Sequence, residues 1–319
     1  MKRKNSPLLM LLTQILLECI LMATGVIGLG PVYNLTNPET KTVFLVPSDS
    51  SDDVKSFAEA RAICRQINKM ADLADMAIAS DSAIVQQLMV NADAKHSHWL
   101  GIHDIQTETV FHSLRTGQPV VYSAWKENKP THDDSKNCAM LEEGRETWDE
   151  EKCDGGTDRG ALCSILHEQS QESGCPSQSV PYDGLCYDFH PLRVADFVEA
   201  RQECEAVGHG RLVVPYSLDE TRFLQLHAQL SGLDAVWLGI WDNDTDEVYR
   251  GLYGGATPYF NWESNEPNED LGNVGCVVML ADTGTYEIRD CATPEGGIVC
   301  QLEPGIFLKT EETFLYVFV

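Results

Sequence analysis

Nothing constrains this chain more than a repeat in its cysteines and tryptophans. Cys138, Cys153 and Cys163 come back as Cys276, Cys291 and Cys300. The string Trp-Leu-Gly-Ile at Trp99–Ile102 comes back at Trp237–Ile240. The tryptophan and the first two cysteines return after 138 residues and the last cysteine after 137. So little drift over such a distance means two copies of one domain-sized unit, not a stack of short repeats. In a chain of 319 residues each copy has roughly 130 residues, enough for a core of its own.

Eleven cysteines are present. Removal of Cys19 with a leader leaves ten, an even number that reads as a disulfide framework in an exported protein. No Cys-x-x-Cys occurs, which removes zinc ribbons and thioredoxin-type sites. The N-terminus supplies the leader: basic Lys2, Arg3 and Lys4, an apolar run from Leu8 to Ile20, then Ala23, Gly25 and Gly28. That order fits a signal peptide over residues 1–28, with cleavage after Gly25 or Gly28. The rival is a type II membrane anchor. Gln14 and Glu18 oppose it, because a carboxylate near the bilayer centre costs about 2.5–3.5 kcal/mol. The expected location is therefore extracellular, with no stable membrane span. Asn34 and Asn243 head glycosylation sequons that matter only on that route.

Charge excludes another class. With 23 basic against 49 acidic residues, the net charge is −26, which disfavours a nucleic-acid partner. The acidity reads as a soluble surface, with attraction to cations, basic partners or a mineral matrix as the alternative.

Between Trp237 and Cys300 the second copy carries Trp262, the triplet Glu266-Pro267-Asn268, Cys276 and Cys291. In that order these marks resemble the C-type lectin-like domain. The resemblance covers about Thr40 to Gln301. It implies an α+β fold: two tandem domains, each with two helices, small antiparallel sheets and a long irregular loop, stapled by disulfides. The domain limits expected are 40–167 (short form), a linker at 168–174, 175–302 (long form, with an extra N-terminal hairpin bridge) and a tail at 303–319. Family pairing implies Cys64–Cys163, Cys138–Cys153, Cys175–Cys186, Cys204–Cys300 and Cys276–Cys291. Helices are expected around Phe57–Ile67, capped by Asp52 or Asp53, after Asp81, over Ala195–Val207, and after a cap at Ser217 or Asp219. A strand is expected over Leu212–Pro215.

The resemblance also implies a calcium and sugar site on the long loop, where calcium takes 6–8 oxygen ligands. In the first copy the family triplet reads Lys129-Pro130-Thr131. The glutamate expected two residues before the cysteine is Lys136, and Trp148-Asp149-Glu150 stands at the family's Trp-Asn-Asp. Asp149 and Glu150 remain as candidate ligands. The competing reading pairs them with Lys129 and Lys136, the ammonium groups replacing the metal. Glu127, Asn128, Asp133 and Asp134 leave a shifted site open. In the second copy Glu266-Pro267-Asn268 is intact and resembles the mannose-type triplet. Val274 replaces the glutamate before the cysteine, and Tyr286-Glu287-Ile288 replaces the strand triplet. Glu266 and Asn268 are the metal candidates, with Glu287 a possible third; otherwise they are surface residues bonding their own turn. Cis peptide bonds are implied before Pro130 and Pro267.

Trp99 and Trp237 read as core, Trp125 and Trp262 as packing at the loop base. Trp241 is the expected exposed ring, His103 standing at its counterpart. The tail ends in Phe-Leu-Tyr-Val-Phe-Val at 314–319, far short of the ~20 residues a span needs; it reads as an added strand or a sticky end. No Gly-x-Ser-x-Gly, His-Glu-x-x-His, Walker or dinucleotide motif occurs, so no enzyme is expected. The function implied by the resemblance is extracellular glycan recognition in innate defence or adhesion. The alternatives are a calcium-independent protein-binding module and an acidic matrix-associated protein.

Overall fold

Each Trp-Leu-Gly-Ile string forms the middle of a strand buried on both faces. Such a run, apolar at every position, suits only a strand covered from both sides. The computed structural model describes residues 31–304, apart from 49–53, 106–108, 132, 157, 167–173, 207–209, 243–247, 255–257 and 269–274. The leader, most of the 168–174 linker, the Asn243 sequon and the 314–319 tail lie outside the described residues.

In the first unit β4 (Ser97–His103) lies between β5 (His112–Ser113) and β6 (Cys138–Leu141), with β7 (Trp148–Glu151) beyond. Strand β8 (Arg159–Ala161) runs parallel to β4. A second sheet orders β1 (Val32–Thr36), β2 (Val43–Pro47), β9 (Cys163–Ile165) and β3 (Asp72–Leu73) in the sequence β1-β2-β9-β3. In the second unit β13 (Ala235–Asp242) lies between β17 (Gly296–Leu302) and β15 (Gly275–Leu280), with β16 (Tyr286–Asp290) at the edge. Beyond β17 come β11 (Leu185–Ala195) and β10 (Val180–Tyr182); β12 (Arg211–Leu212) adds to β17 and β14 (Arg250–Gly251) to β13. The glycine of each string is needed for close approach. A Cβ on Gly101 would stand 2.5 Å from the Leu73 carbonyl oxygen, and one on Gly239 2.9 Å from that of Leu212.

Four helices are described: α1 (Phe57–Ile67), α2 (Ala79–Asn91), α3 (Phe197–Ala206) and α4 (Leu218–Leu230). The cap of α1 is Ser56, not Asp52 or Asp53. Its side chain accepts from Glu59 N at 3.1 Å, while Glu59 Oε2 accepts from Lys55 N at 2.6 Å, so two end donors are satisfied together. Ser217 caps α4 in the same way, with Glu220 reaching back to Tyr216 N. Helix α2 starts two residues ahead of Asp81, whose carboxylate accepts from the N–H groups of Ala77 and Ile78. Of the expected strand at 212–215, only its start pairs as β12.

Five disulfides staple the units: Cys64–Cys163 and Cys138–Cys153 in the first, Cys175–Cys186, Cys204–Cys300 and Cys276–Cys291 in the second. The bridge over 99 residues is worth about 4–5 kcal/mol on the chain-entropy account.

The units meet along a buried seam. Leu226 and Leu230 of α4 join the first unit's cluster around Phe57, Leu73, Trp99 and Leu114. Arg61 on α1 has 0% exposure. Its guanidinium donates to both oxygens of Asp72 at 3.0 and 2.7 Å and crosses to Ser231 Oγ at 2.7 Å. Arg65 reaches Asp188 at 3.0 Å and the Gln178 carbonyl at 2.7 Å. Arg115 donates to Ser177 and Ser164. Burial alone would raise the Asp72 carboxyl, but Arg61 and Arg65 outweigh it and hold it far below the usual range. Helix α2, the counterpart of α4, turns polar groups outward instead: Gln87 donates to Asn91 at 2.9 Å on an exposed face.

Candidate functional site

The long loop of each unit is fastened to its edge strand by the same backbone ties. In the first unit Trp148 N donates to Ala124 O at 2.8 Å, and Lys126 N to Trp148 O at 3.0 Å. In the second, Tyr286 N donates to Asn261 O at 2.8 Å and Glu263 N to Tyr286 O at 2.9 Å. Trp125 packs edge-on to Trp148, and Trp262 edge-on to Tyr286. Both loops turn through a cis X-Pro bond, at Lys129–Pro130 and Glu266–Pro267. The residue two before each proline has positive φ, 62° at Asn128 and 72° at Asn265, a geometry asparagine tolerates.

The side chains then diverge. In the first unit Lys129 Nζ lies 3.0 Å from Asp149 Oδ1 and 3.3 Å from Glu150 Oε1. Lys126 Nζ contacts Asp149 Oδ2 and sits 3.2 Å from Glu142 Oε1. Thr131 N donates to both Glu150 oxygens at 2.8 Å, and its hydroxyl adds a third bond. The hydrogen bond to Asp149 holds the Lys126 ammonium above its ordinary pKa against burial, with Glu142 assisting. Burial works against Lys129, but its bonds to Asp149 and Glu150 prevail and raise it. Burial would raise Asp149; Lys126 and Lys129 prevail and lower it. The second ammonium on Asp149 is thus Lys126, not the expected Lys136. Lys136 follows a turn at Asp133 (Lys136 N to Asp133 O, 2.7 Å) on the other limb of the loop.

In the second unit Glu266 Oε2 accepts from Asn268 N and Ile288 N, both at 3.1 Å. Glu287 pairs with Arg289 at 3.1 Å, and Arg289 also holds Glu295 at 2.9 Å. Asn268 is exposed. Ile288, at the position where the first unit has Glu150, is buried and carries no oxygen.

The donor set decides how far calcium fits. In the first unit both carboxylates that would hold it are already met by ammonium groups, so these residues do not fit the ion. In the second, Glu266, Asn268 and Glu287 are the oxygen-bearing candidates described, short of the 6–8 oxygens calcium takes, and Glu287 is engaged by Arg289. Asp270 and Asn273 lie outside the described residues. Among the described residues no group of three or more His, Cys, Asp or Glu side chains is placed to hold a metal. Two participants escaped the sequence reading. Lys126 was signalled by its place beside Trp125, and Arg289 by its alternation with Glu287 on one edge strand.

A strand-buried Trp-Leu-Gly-Ile, a cis-proline loop tied to an edge strand and two bridges per loop unit define a C-type lectin-like fold. The family described as the lectin C-type domain matches residues 53–165 and again 194–302. The chain belongs to that family, with two copies of its domain. Mouse C-type lectin domain family 4 member G is 28% identical over 144 residues, 44% of this chain and 47% of that protein. Human lymphocyte antigen 75 is 26% identical over 224 residues, 65% of this chain and 12% of that protein. The chain thus spans under half the length of either relative. Among solved structures, the cow CD23 carbohydrate-recognition domain, in the presence of GlcNAc2Man3 oligosaccharide, is 30% identical; the match covers 40% of this chain and 94% of that one, with a TM-score of 0.36. Human lithostathine is 25% identical over 40% of this chain and 90% of its own, with a TM-score of 0.37.

Proposed function

We propose that this chain is a non-enzymatic extracellular recognition protein that meets glycans through the long loop of its second lectin unit. The first unit's loop is closed by its own lysines and works without calcium. The observation that carries this reading is the contrast at one position: Lys129 fills the first loop with an ammonium group, while Glu266 and Asn268 keep the mannose-type triplet at the second. The second loop is the one open to calcium, with Glu266 and Asn268 as its ligands. Secretion follows from the leader, Asn34 and Asn243 are the glycan acceptors, and defence or adhesion is the setting the family suggests.

A second reading, calcium-independent binding of an extracellular protein, is favoured by the Glu287–Arg289–Glu295 chain on β16. A charged, paired edge is a surface that a protein ligand of complementary charge can match. Retention on mannose, N-acetylglucosamine and galactose resins, with calcium and with chelator, separates the two. The glycan reading expects retention on a mannose-type resin that weakens in Glu266→Gln. Equal elution of wild type and variant from every resin rejects it and leaves protein recognition.

A further inference from the structure

Two histidines meet across the seam between the units. His103 ends β4 and is 1% exposed. Its ring stands edge-on to that of His227 on α4, centroids 6.3 Å apart. Neither ring nitrogen of His103, nor Nδ1 of His227, has a hydrogen-bond partner among the described residues. On its far side the His227 ring lies against Phe189 and Phe223. The burial of His103 is made by the second unit. Its counterpart there, Trp241, is only half-buried.

The charged groups around the pair leave no room for another cation. Arg61 comes from α1, Asp72 from β3 and His112 from β5. Further along, Arg65 meets Asp188 and Arg115 is opposed by Asp75 and Asp72. With the histidines neutral, Arg61, Arg65 and Arg115 face Asp72, Asp75 and Asp188, and the buried Asp104 follows His103 along the chain. A proton on either ring adds a buried positive charge beside Arg61, whose own guanidinium already takes both oxygens of Asp72, an arrangement proteins avoid. Gly232, φ +64, follows α4 and lets the backbones close up. A Cβ there would lie 2.8 Å from the Ala58 Cβ of α1, so the two units approach closely at this point.

We propose that this seam is an acid-released joint: protonation of His103 and His227 separates the two lectin units while each keeps its own fold. Burial, with His112 and Arg61 adding to it, holds His103 down at about 3. Burial, with His103 and Arg61, holds His227 well below its ordinary value, Asp72 opposing. Separated and solvated, both rings return toward 6.5, the ordinary value. The separated state then binds more protons. Docking is complete above about pH 6.5 and weakens as pH falls, about tenfold per pH unit for His103, with His227 adding to it. At pH 5.0 that is about 30-fold for His103 alone, with His227 acting in the same direction.

Small-angle X-ray scattering on the full chain, from pH 7.5 to 4.5 in chelator at constant salt, tests this. The radius of gyration should rise between pH 6.5 and 4.5 while the far-ultraviolet circular dichroism stays constant. His103→Phe with His227→Phe keeps ring volume without the titration and should remain compact throughout. If that variant is unfolded at pH 7.5, His227→Phe alone should move the expansion to lower pH. Independently, two histidine side-chain NMR signals of the wild type should titrate together with the expansion. Constant wild-type dimensions, equal expansion of wild type and variant, or absence of any histidine whose titration is delayed below pH 6 in the compact form would overturn the proposal.

Discussion

The two long loops make the same tie to their edge strands with opposite polarity. In the first unit the carboxylate stands on the strand, Glu150, and receives the N–H of Thr131 on the loop. In the second it stands on the loop, Glu266, and receives the N–H of Ile288 on the strand. Either solution satisfies a backbone donor between loop and edge strand, the loop's Thr131 N–H in the first unit and the strand's Ile288 N–H in the second. They differ in what remains. The first needs a cation to balance two strand carboxylates and takes it from Lys126 and Lys129. The second leaves one Glu266 oxygen free of described backbone bonds and an exposed Asn268. Loss of the strand carboxylate at Ile288 is therefore what frees the second loop from an internal lysine. One fold thus yields a self-neutralised loop and an open one from a handful of substitutions.

A similar contrast separates the first helices, and it sets the largest predicted effect. On α1, Arg61 is buried against Asp72 under the second unit; its counterpart on α3, Arg201, is partly exposed and pairs with Glu205 one turn on at 2.8 Å. Val198, the counterpart of Ala58, is 54% exposed. Asp72→Ala should cost about 3–5 kcal/mol in denaturant unfolding, because it strands buried guanidinium groups. Glu150→Ala comes next, at about 2–3 kcal/mol, since the Thr131 N–H and Lys129 lose a buried acceptor. Glu266→Ala, in the more exposed loop, should cost about 1 kcal/mol. Arg201→Ala should cost less than about 0.5 kcal/mol. A ranking in which Arg201 equals Asp72 would break the comparison of the helices; Glu266 exceeding Glu150 would break that of the loops.

Acid sharpens the loop comparison further. The lowered Asp149 contributes stability present above its ordinary 3.8 and lost as pH falls through its lowered value. The raised Lys126 and Lys129 contribute stability present below 10.5 and lost as pH rises through their raised values. The first loop is thus intact across the whole neutral range. Asp149→Asn should flatten the acid limb of the stability curve below about pH 4. Calcium should leave the first loop's backbone signals in a calcium titration by NMR unchanged, any shifts gathering around Glu266 and Asn268. Shifts centred on Asp149 would reverse the assignment.

The fold was legible because covalent and steric marks carry it. A cysteine frame that repeats at fixed distance, and a glycine that must pass beneath a carbonyl, read the same in any conformation. The loop chemistry was legible only in part. Lys129 could be placed because Pro130 fixes its register. The choice between Lys126 and Lys136 depends on which limb of the loop runs beside β7, and spacing does not encode that. The seam was hidden for a further reason. Arg61 falls among Phe57, Ala60 and Cys64 on the apolar stripe of α1, a warning in itself, but its partner Ser231 is 170 residues away. Only the docking of one unit on the other brings them together.

Gln87 and Asn91 on α2 stand where the second unit has Leu226 and Leu230. Head-to-tail contact between repeats invites open-ended growth when both mating faces recur. Here the leading module lacks the greasy ridge that the trailing one presents, so the exposed face of α3 around Val198 in another molecule finds no match on it. The contact is thereby one-sided: a pair of amides withholds the ridge that would let chains join head to tail as fibres.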